Sequence, residues 1–370
     1  MQLRKLSLIA SLLVAGAHAE DYVAIEYLQY NENDSRVSVS APSLEINKDF
    51  GADYTLNASF VLDSVSGASP TYYDATSGAS ARAKGPSGDI RYGNVNFDEQ
   101  RAAGNVTLTT RFANRDELKV GVGYSTESDF YSFEGSASYM HYLDDSHNQS
   151  ISLGGSYQSN EVLIKDCSYN AACDASSGAS QKMTNDGYQL QLSFSQVIDT
   201  TSVADIGVFY GSESGYLSSP YHNIVRNANT VYAELKPDAR DNYGVKLGYK
   251  KALSETLFAH ASYKYYSDDW GIDSHTIDTK LLYEVNDDLT LGGGVRYYMQ
   301  SEADFYAKAF TTEKFASSDE RVSDFNALTY KAELEYKFSD DLSYNLGANL
   351  YDQSTGLQAT FFTTGLKYRF

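Results

Sequence analysis

Past residue 19 the chain has no run of eighteen apolar residues. A helix needs about twenty to cross the hydrocarbon core of a bilayer, so a helical membrane protein is excluded. Cations are also in short supply: 29 Lys and Arg stand against 49 Asp and Glu, a formal net charge of -20. That balance rules out a basic nucleic-acid binder, and no nucleic-acid partner is expected. There are only two cysteines, Cys167 and Cys173, in the polar stretch "KDCSYNAACDASSG". No His or third Cys lies near enough to complete a zinc pattern, and the absence of Cys-x-x-Cys-His excludes covalent haem. In an exported chain such a pair closes a small disulfide loop. Tryptophan occurs once and proline five times, whereas tyrosine occurs 32 times. Tyrosine favours strands and membrane interfaces.

The first nineteen residues carry Arg4 and Lys5, an apolar run from Leu6 to Ala17 and the small-residue pattern Ala17-His18-Ala19. The run is too short to span as a helix, so residues 1–19 are expected to be a secretory signal peptide, with 20–370 a single domain.

The dominant pattern after that is period two, which in a strand sends alternate side chains to opposite faces. Leu328, Tyr330, Ala332, Leu334, Tyr336 and Phe338 share one parity, and Thr329, Lys331, Glu333, Glu335 and Lys337 the other. Tyr188, Leu190, Leu192 and Phe194 alternate with Gln189, Gln191, Ser193 and Ser195, and the same split recurs at Val120, Val122 and Tyr124 and at Tyr243, Val245 and Leu247. A soluble sandwich shows such alternation too, so the connections decide. Seven are tight ("NKDFGAD", "ANRDE", "LDDSHN", "VIDTTS", "ALSET", "VNDDL", "FSDDL"), and between them lie connections of very unequal length. Short turns at one rim and long, variable loops at the other predict an all-β fold. It is a transmembrane antiparallel up-and-down β-barrel of about 16 strands, with short periplasmic turns, long extracellular loops and both termini in the periplasm.

The chain finishes on "TTGLKYRF", with Phe362, Thr364, Leu366, Tyr368 and Phe370 predicted to face lipid. Pairing this strand with "YVAIEYLQY" closes the barrel and leaves no unpaired edge in hydrocarbon. The order Thr363, Gly365, Tyr368, Phe370 resembles the C-terminal signal read by the barrel-assembly machinery, which with outer-membrane lipid and lipopolysaccharide is an expected partner.

Beyond these local patterns, "RVSVSAPSLEI", "DSVSGASPTYYDATSGAS", "GYSTESDFYS", "ESGYLSSPY", "YKYYSDDWGIDSHT" and "VRYYMQSEADFYAKAF" resemble a family of exported Gram-negative proteins, domain of unknown function 3570 (DUF3570). The resemblance covers the whole mature chain and implies an outer-membrane location. It also implies a possible partnership with flavin-linked envelope electron transfer, since members can be encoded near flavin-attachment enzymes.

Parity places Asp63, Glu127, Asp129, Asp268, Glu302 and Asp304 inward at the extracellular mouth. Together they are expected to attract cations, with a divalent ion as an open question; the alternative is a solvated acidic rim resting on lipopolysaccharide-bound calcium. Lower in the lumen parity predicts mixed charges, among them Lys119, Lys246, Lys264, Lys280, Arg296 and Lys331 with Glu134, Asp205, Asp278 and Glu333. The long loop from Ser64 to Gln100 is the expected plug. The histidines His141, His147, His222, His260 and His275 show no Ser-His or metal-ligand spacing, so neither an enzyme nor a cofactor is expected. The first reading is a porin-like channel or ligand-specific passage for an ion or small solute. A non-conducting barrel that docks or houses partner proteins is the alternative, and a barrel hydrolase a distant third.

Overall fold

Alternation of this kind leaves one face of every strand apolar, and the computed structural model turns that face outward. It describes residues 21–74, 85–86, 90–174 and 180–370; residues 1–19, the expected signal peptide, lie outside the described residues. Among the described residues sixteen antiparallel strands close into one barrel, each paired with its sequence neighbours in the wall. Closure joins the first strand, Tyr22–Glu32, to the last, Gln358–Arg369, in a register running from Tyr22 opposite Arg369 to Glu32 opposite Ala359.

The outer surface is a belt of exposed apolar side chains at alternate positions. Ile25, Leu190 and Leu350 are 61%, 54% and 57% exposed, and Val120, Val122, Tyr124, Tyr243 and Leu247 continue the band. A surface so apolar is costly in water and stable in lipid, where a closed barrel also satisfies every backbone hydrogen bond of the wall. This is a membrane-spanning barrel of the outer-membrane type.

All seven tight turns lie at one rim, here the turn end; they include the links from Phe50 to Tyr54, Asp199 to Ser202 and Lys337 to Leu342. The opposite rim, the loop end, carries the long connections. Here the sequence expectation of a plug is met only in part: residues 64–74 and 90–100 are strand, while Gly85–Pro86 of the same connection joins the small sheet over the mouth. The two strand segments continue the third and fourth wall strands, Tyr54–Asp74 and Ile90–Arg111, which pair from Tyr54 opposite Thr110 to Asp74 opposite Ile90. The end of the hairpin packs against the covering of the mouth, where Thr71 is buried.

Most of the covering over the mouth comes from the connections 216–238 and 301–324. Short strands Asn223–Arg226 and Thr230–Ala233 form a small sheet with Gly85–Pro86. Leu235 and Ala316 exchange backbone hydrogen bonds of 3.1 and 2.8 Å between the two connections. Ile224, Phe310 and Ala316 form a dry core between them. The cap then reaches across the barrel. Asn223 donates its backbone N–H to Thr71 Oγ1 (2.9 Å), and Tyr72 donates its hydroxyl to the Lys308 carbonyl (2.9 Å). Connection 216–238 leaves the ninth wall strand whereas Thr71 belongs to the third, so these contacts bridge nearly opposite sides of the mouth.

Candidate functional site

Three layers sit along the barrel axis. The lowest is the inward wall of the strands from Ser202–Gly215 to Phe325–Lys337. Asp278 accepts from Arg296 Nε at 2.6 Å and from Lys331 Nζ at 2.5 Å. Lys280 meets Glu333 at 2.5 Å across the intervening strand. That strand carries Gly292 and Gly294 at this height, and a Cβ on Gly292 would overlap the Glu333 side chain. Glycine is there to let the pair meet. Lys246 and Lys264 are direct cross-strand partners on Ala239–Ala252 and Leu257–Asp268, and Lys264 Nζ stands 4.8 Å over the Phe209 ring.

Above this wall is a collar of inward aromatics at the loop ends of their strands: Tyr30, Tyr266, Tyr298, Tyr351 and Phe361. Tyr30 stacks on Phe361 with ring centroids 5.4 Å apart. The tyrosine hydroxyls point into hydrogen bonds, from Tyr30 to Glu32 (2.7 Å), Tyr298 to Gln300 (2.7 Å) and Tyr266 to Asp268 (2.8 Å). The collar could have been found by carrying parity to the last three or four residues at the loop end of each strand.

The top layer is the cap, held by a buried ionic network. Glu234, fully buried, accepts from the Ser219 backbone N–H (2.7 Å) and Ser317 Oγ (2.6 Å), and lies 3.1 Å from Lys236 Nζ. Arg321 Nε reaches both oxygens of Asp319 at 2.8 and 2.9 Å, and Lys236 adds a second cation at 3.6 Å. Arg321 also contacts His222 Nε2 at 2.9 Å. Although burial opposes the charge on Asp319, Arg321, His222 and Lys236 hold its carboxyl well below the usual range. Burial pushes His222 down to about 4, against the field of Asp319, so the imidazole is neutral at pH 7. The network crosses from one cap connection to the other. It is invisible to parity, because its members come from two irregular segments that meet only in the folded chain.

The predicted mouth carboxylates do not form one ring. Asp63 is paired with Arg101. Asp129 is buried with Lys165 Nζ 3.7 Å away, and Glu127 lies two residues before it, half-buried. Asp268 is a structural corner: it takes Arg240 Nε at 2.8 Å and the backbone N–H groups of Trp270 (3.0 Å) and Ile272 (2.9 Å). Arg240 stacks 4.6 Å over the Trp270 ring. Glu302 and Asp304 are exposed on the cap. Asp304 borders a cleft of about 560 Å³ together with Asp269, Trp270, Phe305 and Glu313. Among the described residues no three His, Cys, Asp or Glu side chains are grouped to hold a metal. Asp63 lies within its strand and is neutralised there by Arg101, whereas the others lie at or beyond strand ends, where turns redirect side chains.

Of the histidines singled out, His260 faces Lys250 and Lys280 on adjacent strands, and His275 Nδ1 shares a 2.7 Å hydrogen bond with the Tyr263 hydroxyl.

The terminal strand keeps its expected parity. Phe362, Leu366, Tyr368 and Phe370 are exposed, Thr363 is half-buried and Gly365 is buried. A Cβ on Gly365 would crowd Asn345 and Glu26, whose side chains bond to each other at 3.0 Å.

Cys167 and Cys173 are joined as a disulfide. The loop packs on Phe130, Val162, Ile164 and Tyr216, at the root of cap connection 216–238. Reduction is expected to free two thiols and to loosen this loop by about 2 kcal/mol on the loop-entropy account, leaving the barrel folded. Thiol titration beside heat-modifiable gel mobility checks this; a barrel that unfolds on reduction would contradict it.

No curated protein matches the chain. Among solved structures it is similar in fold to the ferric enterobactin receptor PfeA of Pseudomonas aeruginosa (10% identity, TM-score 0.49, 91% of this chain and 54% of that one). It is similar also to a loop-deletion form of OmpT, an outer membrane protein of Vibrio cholerae (12%, 0.47, 95% and 98%), and to the monoaromatic hydrocarbon channel CymD (9%, 0.44, 96% and 89%). The chain spans about half the length of the siderophore receptors it matches. Over residues 7–365 it matches the family described as protein of unknown function (DUF3570), and it belongs to that family.

Proposed function

We propose that the barrel is a solute-selective passage through the outer membrane of a Gram-negative bacterium, closed at rest by its cap. In this reading the loop end is extracellular and both ends of the barrel chain lie in the periplasm. The observation that carries it is the pairing of a charged lumen wall with a cap whose two connections interlock with each other and with the hairpin of the third and fourth wall strands, nearly opposite on the rim. A barrel serving only as a scaffold has no use for a charged inner wall, and an open porin has none for a packed cap.

The acidic mouth takes a narrower role. Asp63, Asp129 and Asp268 have cationic neighbours, so cation attraction falls to the exposed carboxylates Glu302 and Asp304, with Asp269 and Glu313 nearby. We assign these to the outer leaflet, where divalent cations bridge carboxylates to lipopolysaccharide phosphates. Insertion by the barrel-assembly machinery belongs to the same reading. No enzymatic role is proposed.

Planar-bilayer recording of the purified, refolded chain tests the passage. Full-length protein should show infrequent, brief openings, and a variant with residues 304–318 replaced by a short Gly-Ser link should conduct steadily. Silence from both would overturn the passage, and equal steady conductance from both would overturn the closed cap.

A further inference from the structure

We infer that Lys246, Lys264 and Arg296 form a binding site for a small multivalent anion, of the phosphate or carboxylate class, midway down the lumen. The inference rests on the passage reading and names the class of solute that would pass.

Lys246 is central in its strand, seven residues from Ala239 and six from Ala252, and Lys264 is its direct cross-strand partner. Two like charges placed opposite each other on one face of a sheet repel and destabilise the pair. In this wall the usual relief is missing. Among the described residues neither ammonium has a carboxylate within 4.0 Å, although other cations of the same wall do: Lys331 and Arg296 share Asp278, and Lys280 has Glu333. Lys264 lies in the field of both Lys246 and Arg296. Asp205 is the carboxylate on the near side. It is set over Gly248, and it acts on Lys246 at a distance without forming an ion pair.

The surrounding wall holds this arrangement rigidly. Lys264 rests on the Phe209 ring, and the ring in turn lies over Gly244, where any Cβ would strike it. An aromatic face supports the cation without neutralising it, so the positive charge remains directed at the lumen. Arg296, fixed through Nε by Asp278, is the third cation. Two ammonium groups and a guanidinium match an anion that carries more than one charge, since each oxygen can take a charge-assisted hydrogen bond. A single chloride would meet only part of the field. Bound anion would also remove the repulsion between the two lysines, which is a physical reason for keeping them opposite each other.

The probe is pyrophosphate, titrated calorimetrically at low salt into the refolded full-length barrel. One saturable site is expected, weakened at least tenfold in Lys246→Gln/Lys264→Gln and unchanged in Lys182→Gln, whose lysine pairs with Glu161. Heat-modifiable mobility reports whether each variant is folded. A second readout needs no variant: pyrophosphate should slow acetylation of Lys246 and Lys264, followed by mass spectrometry, while Lys182 reacts at its usual rate. Absence of binding, equal affinity in the double variant, or unprotected lysines would overturn the site. The two readings fail separately. Binding in a barrel that never conducts removes the passage and leaves the site, whereas conductance without binding removes the site and leaves the passage.

Discussion

Asp319→Ala is expected to release the cap while the barrel wall stays intact. The substitution leaves Arg321 and Lys236 without their shared carboxylate in a place where Asp319 itself is only 3% exposed. Removing one partner from a fully buried pair costs about 3–5 kcal/mol, and the cost here falls below that because Lys236 keeps Glu234 and the Arg321 side chain is 36% exposed. Hydrogen exchange should accelerate across 216–238 and 301–324 and stay slow in the wall strands. The paired change Asp319→Leu/Arg321→Met should cost less than Asp319→Ala, because it strands less charge. Protection of the cap equal to that of the wild type would show that the network does not hold it.

Acidification reaches the same network by a different group. His222 is neutral in the closed cap and is pushed down to about 4, chiefly by burial. A solvated histidine titrates near 6.5, so between 6.5 and 4 the open cap binds a proton that the closed one refuses. The sign is therefore loss of closure as pH falls through that window, reaching about 3 kcal/mol at its lower end. Asp319, held well below the usual carboxylate range, keeps its contribution throughout the window and loses it only in stronger acid. His222→Gln should flatten the dependence between pH 6.5 and 4 when cap exchange is followed against pH.

Removal of Tyr368-Arg369-Phe370 is expected to abolish insertion of the barrel while export continues. The three residues close the seam: Tyr368 is opposite Val23 on one side and Leu342 on the other, and Arg369 is opposite Tyr22. Without them, backbone groups at the start of the first strand and of strand Leu342–Gln353 face the hydrocarbon boundary unpaired, at several kcal/mol each. Phe370 is 59% exposed and stacks beside Tyr368, 6.4 Å between centroids, so its ring belongs to the lipid belt. Cell fractionation should place the truncated chain in the periplasm, with heat-modifiable barrel in the membrane reduced at least tenfold. Normal membrane levels would sink the closing-strand account.

The wall was legible because a membrane imposes period two on every strand that crosses it, and the Asp- and Asn-rich turns mark each reversal. The limits follow from the same physics. In "DSVSGASPTYY" both faces of the strand lie beyond the lipid, so no apolar alternation is selected and an extended ladder reads as a loop. The parity of Lys246, Lys264 and Asp278 survived because those residues are central in their strands. Asp268 also points inward but is taken up by Arg240 and its own turn, and Asp304 escaped the pattern because it lies in the cap. Glu234 and Asp319 are 85 positions apart, and nothing local marks them as partners of Lys236.

The span of the cap's contacts also sets the order in which the molecule is made. Arg36, in the first connection, lies 3.6 Å from Glu320 in a late one, and Thr71 holds Asn223. Such distant pairings carry a loop-closure cost that is met only after the intervening strands have been laid side by side. By the same cost the cap is expected to set late, alongside the seam of the first and last strands, whose partners lie still farther apart in sequence.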